Sequence, residues 1–324
     1  MIVAWNSGEH LQRAVDGLAA QTHQDFELLV WDNDSSDGAP ELLRLPPNGR
    51  LVRSAENLGF AAGVNRAAAL SRSTWIATLN PDAFPQPDWL EALLRAAEAT
   101  GAEAVASLQL DDADPTVLDG AGDVFSVSGF AWRGGYGHPA SEAPSKAVEV
   151  FTACAAAALY RRATFEALGG LDERYFCYFE DVDLGVRLRA RGGRVVLAPD
   201  AVVRHVGSAS SRTLSGFAEY HGTRNRLWTL AKAMPGLLLP VALPAYLLLS
   251  LFVLARSPTA EMRSARWRGI RDGLRGVGPY LRERGRWRPV SLAGFLRTLS
   301  WSPQALRGKR LVYRKLATAS TTRS

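Results

Sequence analysis

Two cysteines in 324 residues are too few for a disulfide framework or a four-cysteine zinc site. Cys154 and Cys177 stand among apolar or aromatic neighbours and read as reduced, buried thiols of a cytosolic chain. Glycine signatures for phosphate are missing too. No Gly-x-Gly-x-x-Gly follows the first strand and no Gly-x-x-x-x-Gly-Lys-Ser/Thr occurs anywhere, which argues against dinucleotide oxidoreductases and P-loop enzymes. The chain enters a short strand and a polar turn without a basic, then apolar, leader, so no signal peptide is expected. Lysine is scarce, at four of the 38 basic residues, an arginine bias that fits a GC-rich genome as well as selection for arginine chemistry.

The remaining composition is that of a globular protein. With 47% hydrophobic and 22% charged residues, wholesale disorder and collagen-like or low-complexity architectures are excluded. The length accommodates two domains, or one large α/β domain with an extension. The net charge of +6 hides an asymmetry: residues 1–219 carry 18 Lys/Arg against 29 Asp/Glu, net −11, and residues 220–324 carry 20 against 3, net +17. Inside the basic half, Ala233 to Ala255 forms 23 residues without a charge. That stretch is long enough to cross a bilayer core of about 30 Å as a helix. Pro235, Gly236, Pro240 and Pro244 interrupt its first half, however, and Arg/Lys crowd both flanks, whereas a spanning helix carries its basic excess mainly on the cytoplasmic side. The segment reads first as a helix or helical hairpin dipped into one leaflet, with a true span and a buried soluble helix as the alternatives. A tail of such charge attracts nucleic acid, but no recognition motif accompanies it. The adjoining apolar segment points instead to an anionic membrane surface, and no nucleic-acid partner is expected. A peripheral or monotopic protein on the cytoplasmic face of the cell membrane follows.

The first 110 residues alternate strand and helix. Strands are expected at Ile2–Trp5, Phe26–Trp31, Leu51–Arg53, Trp75–Leu79 and 103–110, with helices opening at an Asn6/Glu9 capping pair, after the glycine-bearing loop Asn57–Asn65, and over 87–100. This alternation implies an α/β fold with a parallel sheet and crossovers, in which ligands bind at the carboxyl ends of the strands. Asp32, Asp34, Asp37 and Asp82 all follow strand ends, where carboxylates suit a hard divalent cation, ribose or base edges. Asp34 and Asp37 serve equally as turn formers. Residues 111–150 show little periodicity and suggest hairpins or an acceptor-side loop. Phe151–Tyr160 reads as a buried strand. In Tyr175–Leu184 aromatic residues precede Glu180, Asp181 and Asp183, placing carboxylates beside apolar surface where desolvation prepares a base. Acids in the first turn of a helix beginning near Glu180 would also stabilise it. Two more strands are expected at Val195–Leu197 and Ala201–Val203. A lone histidine is usually structural, but His205, beside Gly207-Ser208 at a strand end, is a candidate metal ligand.

Taken together, Asn6-Ser7-Gly8, Asp32-Asn33-x-Ser35-x-Asp37-Gly38, Asn57-x-Gly59-Phe60-x-x-Gly63-x-Asn65, Asn80-Pro81-Asp82, Gly169-Gly170-x-Asp172-Glu173, Phe179-Glu180-Asp181-x-Asp183-Leu184-x-x-Arg187 and the His205 segment resemble an inverting family-2 glycosyltransferase of the rhamnosyltransferase-like bacterial branch. Each motif is weak alone, and seven in this order are specific. The resemblance covers residues 1–215 and implies a GT-A fold, a Rossmann-like mixed sheet flanked by helices, followed by a basic, apolar helical region over 216–324 for membrane association. It implies a nucleotide-diphosphate sugar donor, with rhamnose favoured, and a glycan or polyprenyl-linked acceptor in cell-surface polysaccharide synthesis. Asp32 would read a pyrimidine base, and Asn6, Asn57, Gly59, Asn65, Asn80 and Asp82 would line the donor site. Asp82 with His205 would hold a divalent cation, Mg²⁺ or Mn²⁺. Asp181 would be the base, with Glu180 beside it. Such an ion neutralises a departing diphosphate while a carboxylate removes the acceptor's proton. A catalytically silent nucleotide-sugar-binding protein at the membrane is the alternative.

The chain departs from the family pattern at three places. The first strand is short, as expected of a start placed downstream of the true one or of a truncation. Asn80 replaces the first acid of the usual Asp-x-Asp. Cys154-Ala155 occupies the place of a Ser/Thr-Gly pair.

Overall fold

The computed structural model describes residues 1–207 and 216–316; Ser208, the last residue of the His205 segment, lies outside them. Three short strands, Ile2–Ala4, Leu28–Asp32 and Gly49–Arg53, pair in parallel with Val3 opposite Trp31 and Val30 opposite Leu51. Each is joined to the next through a helical crossover, as parallel neighbours require. The sheet does not stop at the first strand. Leu79 N–H donates to the Met1 carbonyl at 3.0 Å and the Met1 nitrogen donates to the Ala77 carbonyl at 2.6 Å, the alternation of a parallel ladder, which joins Trp75–Leu79 to it.

Beyond Trp75–Leu79 the sheet turns mixed. Ala157–Arg161 inserts antiparallel between Trp75–Leu79 and Ala104–Asp111, and Val195–His205 then pairs in parallel with Ala104–Asp111. The reversal has a topological cause. Ala104–Asp111 ends on the carboxyl rim, and residues 112–156 form hairpins and loops on that rim rather than a crossover helix, so the next strand runs back from it.

Local differences from the sequence reading have similar reasons. The Asn6/Glu9 pair does not cap. The helix Glu9–Ala19 starts after Gly8, at φ 53°, with no side-chain cap, and the Asn6 Oδ1 atom accepts from the Ser36 N–H at 2.8 Å instead. The buried run expected over Phe151–Tyr160 is continuous strand only from Ala157, because residues 151–156 pack by the helix Glu180–Ala190 and the cavity and meet a strand only at the single Thr152–Asp123 bridge. The two strands expected at 195–197 and 201–203 are one, Val195–His205, whose register shifts between Ala198 and Val202.

The chain after residue 216 is tied into the sheet domain. The helix Phe217–Ala233 buries Asn225, Thr229 and Lys232. Lys232 is 3% exposed and pairs with Asp172 at 2.8 Å and Asp183 at 3.0 Å, while Arg187 holds the other side of Asp183 at 2.7 Å. Removal of one member would leave an uncompensated buried charge, so this network fixes the helix against Glu180–Ala190. The apolar segment forms the helix Leu239–Ala255, running through Pro244. Residues Gly236–Ala255 form the one stretch among the described residues long and apolar enough to cross a membrane, with a mean hydropathy of 2.4, and most of it is uncovered. Leu247, Leu248, Leu251 and Phe252 are each at least half exposed. The basic helix Ala260–Gly276 follows it and packs on Phe217–Ala233 through Gly269 and Gly273.

His221, on the inner face of Phe217–Ala233, packs against Phe217 and Phe176 with ring centroids 4.4 and 5.4 Å away. Burial first, then the neighbouring Arg224 charge, pulls its pKa down from 6.5 to about 4. Since the unfolded chain takes up this proton near 6.5 and the folded one only near 4, stability present above pH 6.5 is lost as pH falls through that window. Denaturant unfolding at pH 7 and pH 5 is expected to show the wild type losing about 1–2 kcal/mol more than His221→Phe over the same interval. Equal losses would contradict the assignment.

Candidate active site

The carboxyl rim of the sheet opens into a cavity of about 580 Å³. Asn57, Gly59, Asn80, Asp82, Asp123, Trp132, Arg133, Cys154, Phe176, Phe179, Glu180, Asp181 and His205 are among its walls. Strand-end acids, the loop before Glu180–Ala190 and the rim hairpins therefore meet at one place, as ligand sites in such sheets do.

Its wall at Phe176–Phe179 is strained. Phe176, Tyr178 and Phe179 have φ of 66°, 68° and 71°, a region that costs a non-glycine residue roughly 1–2 kcal/mol. The fully buried Asn225 offsets this with its Nδ2 amide, which lies 3.0, 2.9 and 2.7 Å from the carbonyls of Tyr175, Cys177 and Tyr178. Ala61 N–H takes the Phe176 carbonyl at 3.1 Å. Gly59, at φ 83°, admits the loop because a Cβ there would lie 2.5 Å from the Phe176 ring.

The loop delivers Glu180 and Asp181 to the cavity. Asp181 accepts from the Ala155 N–H at 3.0 Å and from its neighbour Val182 N–H at 2.7 Å. Its backbone carbonyl accepts from the Thr152 hydroxyl at 3.2 Å, a contact close enough that Gly185, a turn further along the helix, has no room for a Cβ against Thr152. Burial raises the Asp181 pKa above the ordinary carboxylate value even though these N–H groups and the Cys154 thiol oppose the rise. The Glu180 carboxyl is pushed well up by burial and then by the Asp181 charge, and its Oε2 atom has no hydrogen-bond partner. Asp183, the third acid of the motif, faces Arg187 and Lys232 instead of the cavity.

Asp123 was not marked by the sequence. It is 5% exposed, its Oδ1 atom has no hydrogen-bond partner, and its carboxylate lies with those of Asp181 and the Cys154 Sγ atom inside a 4.8 Å cluster. Burial and then the Asp181 charge push its pKa well up. Cys154 and Cys177 are both unpaired, partly covered rather than fully buried, with thiols that burial pushes up in pKa and so keeps protonated.

The other acidic pole is Asp82 with His205. The His205 Nε2 atom lies 3.3 Å from an Asp82 carboxylate oxygen but makes no well-formed hydrogen bond. Its Nδ1 atom is 2.7 Å from Asp119, whose carboxylate is also held by Arg133. Burial would lower the His205 pKa, yet the Asp119 and Asp82 carboxylates outweigh it and raise the value to about 9. One ring nitrogen is thus oriented by Asp119 and the other faces Asp82, an arrangement able to take a cation between Nε2 and Asp82 once the ring gives up its proton. One imidazole nitrogen and one carboxylate oxygen suit Mn²⁺ better than Mg²⁺, which takes oxygen ligands, and the remaining positions would go to water or phosphate oxygens.

The residues expected to bind the donor divide into two groups. Asn57, Gly59, Asn80 and Asp82 line the cavity, joined by Asn33, which donates to Asn57 Oδ1 at 2.8 Å and accepts from the Leu58 N–H at 3.0 Å. Asn6, Asp32 and Asn65 are not in its walls. Asp32 is buried at a strand end and caps the next turn by accepting from Ser35 N–H at 3.0 Å. Asn65 uses both amide atoms on the Leu171 backbone, at 2.8 and 2.9 Å, and so braces the Gly169-Gly170 turn.

Known proteins share this architecture. The family model described as "Glycosyl transferase family 2" matches residues 1–169. The chain is 32% identical over 228 residues to the N-acetylglucosaminyl-diphospho-decaprenol L-rhamnosyltransferase of Mycobacterium tuberculosis, covering 63% of this chain and 74% of that one. It is 33% identical over 220 residues to an O-antigen biosynthesis protein of Myxococcus xanthus, covering 62% of this chain and 16% of that much longer one. Two solved structures share the fold at 12% identity. S. aureus TarS 1-349 superposes with a TM-score of 0.55 over 87% of this chain and 81% of its own, and GalNAc-T7 with UDP, GalNAc and Mn²⁺ with 0.60 over 86% and 56%.

Proposed function

The chain belongs to glycosyl transferase family 2, and from that premise we propose that it transfers a sugar, rhamnose by preference, from a nucleoside diphosphate to a hydroxyl of a lipid-linked acceptor. It is a glycosyltransferase of the GT-A fold, of the kind that builds cell-surface polysaccharide. The observation that carries the finer reading is the placement of two acidic poles, Asp181 and the Asp82–His205 pair, in the wall of one cavity.

In this reading Asp181 accepts the proton of the acceptor hydroxyl as that oxygen attacks the anomeric carbon. The new C–O bond forms on the face opposite the breaking bond to diphosphate, so one displacement inverts the configuration. The Ala155 and Val182 N–H groups hold the carboxylate in its orientation, and burial keeps it basic. Glu180 and Asp123, whose carboxyls burial and then the Asp181 charge push up in pKa, flank it in the cavity wall. Asp82 and His205 would hold a divalent cation, which when bound neutralises charge on the diphosphate. Asn33 and Asn57 orient the donor from the strand-end loops, and the buried Asp32 shapes the turn that would face a pyrimidine base.

Residues 1–215 carry this chemistry, and 216–324 both brace it and meet the membrane. The exposed apolar face of Leu239–Ala255 and the arginines around it favour a peripheral or monotopic position on the cytoplasmic leaflet. The test is a screen of nucleotide sugars for nucleoside diphosphate release by membrane-extracted protein, with a lipid-linked acceptor and with or without Mg²⁺ or Mn²⁺. A pyrimidine diphosphate sugar is expected to turn over only when acceptor and cation are both present. Tight donor binding without release under any combination would favour a silent binding protein, and recovery of the full chain in the soluble fraction at low salt without detergent would refute the membrane position.

A further inference from the structure

Among the described residues, Arg226 is a cation without a counter-ion. It lies half-buried on the helix Phe217–Ala233, whose buried Lys232 is paired with Asp172 and Asp183, with its guanidinium carbon 3.9 Å from the Phe130 ring centroid and 5.6 Å from that of Phe179. Its Nε atom is buried with no hydrogen-bond partner. The charges it feels among the described residues are the Tyr246 phenol and the second guanidinium of Arg266; no carboxylate faces it. Burial pulls its pKa down to about 10, which leaves it charged at neutral pH. Arg266 is held through the Val253 carbonyl at 3.1 Å and the Ser257 hydroxyl at 2.8 Å, and forms no ion pair either. Tyr246 and Ser250, one turn apart on Leu239–Ala255, are 3% and 7% exposed, and their hydroxyls have no partner beyond one another. Two arginines and two hydroxyls thus converge with no acid among them, an arrangement that costs desolvation energy unless an anion completes it.

The position of this cluster identifies the anion. On one side Phe179, which packs on Arg226, is itself a wall of the cavity and lies two residues before Asp181. On the other, Phe130 packs on Tyr246 at 6.1 Å, and Tyr246 belongs to the helix whose outer face, Leu247, Leu248, Leu251 and Phe252, is exposed and apolar. A ligand that reaches all three places has a sugar in the cavity, a negative group next to the sugar and an apolar chain beyond it. We propose that Arg226, supported by Arg266, Tyr246 and Ser250, binds the phosphate groups of a lipid-linked acceptor and so sets which acceptors are used. This rests on the glycosyltransferase reading and adds to it a subsite for the acceptor's charge.

The test compares three acceptors bearing one sugar: an alkyl diphosphate sugar, the alkyl monophosphate sugar and the uncharged alkyl glycoside. Wild type is expected to prefer the phosphorylated acceptors. Arg226→Met is expected to lower kcat/KM for the diphosphate acceptor roughly 10- to 100-fold, as loss of a charge-assisted hydrogen bond does, with the uncharged glycoside changed less than about twofold. Arg226→Lys, which keeps the charge without the fork, should fall between them. Equal loss on charged and uncharged acceptors would reduce Arg226 to a packing role and overturn the proposal. So would a wild type that transfers to all three alike, although transfer itself would then still stand. A third contrary result is loss of binding to phosphatidylglycerol vesicles with acceptor kinetics unchanged, which would assign Arg226 to bilayer headgroups.

Discussion

Asp181→Asn is expected to lower turnover by roughly 10²–10⁴ while leaving donor binding nearly intact, the effect of removing a general base while keeping its size. The Ala155 and Val182 N–H groups donate to different carboxylate oxygens, so the single amide oxygen keeps one of these contacts and loses the other, a local cost of about 1 kcal/mol that the loop should survive. The pH profile gives an independent check. Because burial raises the Asp181 pKa, the acid limb of kcat/KM should lie above the ordinary carboxylate range and vanish in the variant. Near-normal turnover in Asp181→Asn would move the role to Glu180, which shares the cavity wall, and not to Asp183, whose carboxylate is committed to Arg187 and Lys232.

His205→Ala is expected to have the second largest effect, and on a different quantity. With its ring gone, Asp82 loses the nitrogen 3.3 Å away that would share a cation with it. Calorimetry should show the gain in nucleoside diphosphate affinity on adding Mn²⁺ disappearing, with metal-free binding unchanged. Asp119→Asn should weaken the Mn²⁺-dependent step by about 10–100-fold, since it removes the carboxylate that orients His205 without touching the ion's own ligands. If both variants kept the wild-type response to Mn²⁺, the cation would have to be held elsewhere, and the Asp123–Cys154–Asp181 cluster would be the first place to look.

The parts of this site that the sequence made legible are those whose position follows from periodic structure. Asp82 follows Trp75–Leu79 in the next turn and His205 closes Val195–His205, and strand ends in an α/β sheet face the ligand. The acid run at 180–183 stands out because aromatic residues precede it, although only the contacts to Arg187 and Lys232 separate Asp183 from its neighbours. Asp119 and Asp123 stayed hidden because residues 111–150 lack a hydrophobic period, their strands being three or four residues long and paired on the rim. The strand at Ala157–Arg161 was legible within Phe151–Tyr160, but its antiparallel direction was not, since that depends on where the excursion over 112–156 returns. Asn225 and Arg226 could not be singled out on a helix buried on several sides, where polar residues follow no single face. Asn65 had a motif but a different task, bracing a turn away from the cavity.

The most direct test of the account is the configuration of the linkage formed. With a nucleotide sugar of known anomeric configuration and a lipid-linked acceptor, the one-bond carbon–proton coupling at the new anomeric centre, read by NMR on product isolated before any exchange, reports whether the displacement was single. A base at Asp181 acting on the face opposite the departing diphosphate predicts inversion of configuration. A retained configuration would require an even number of displacements and would contradict it.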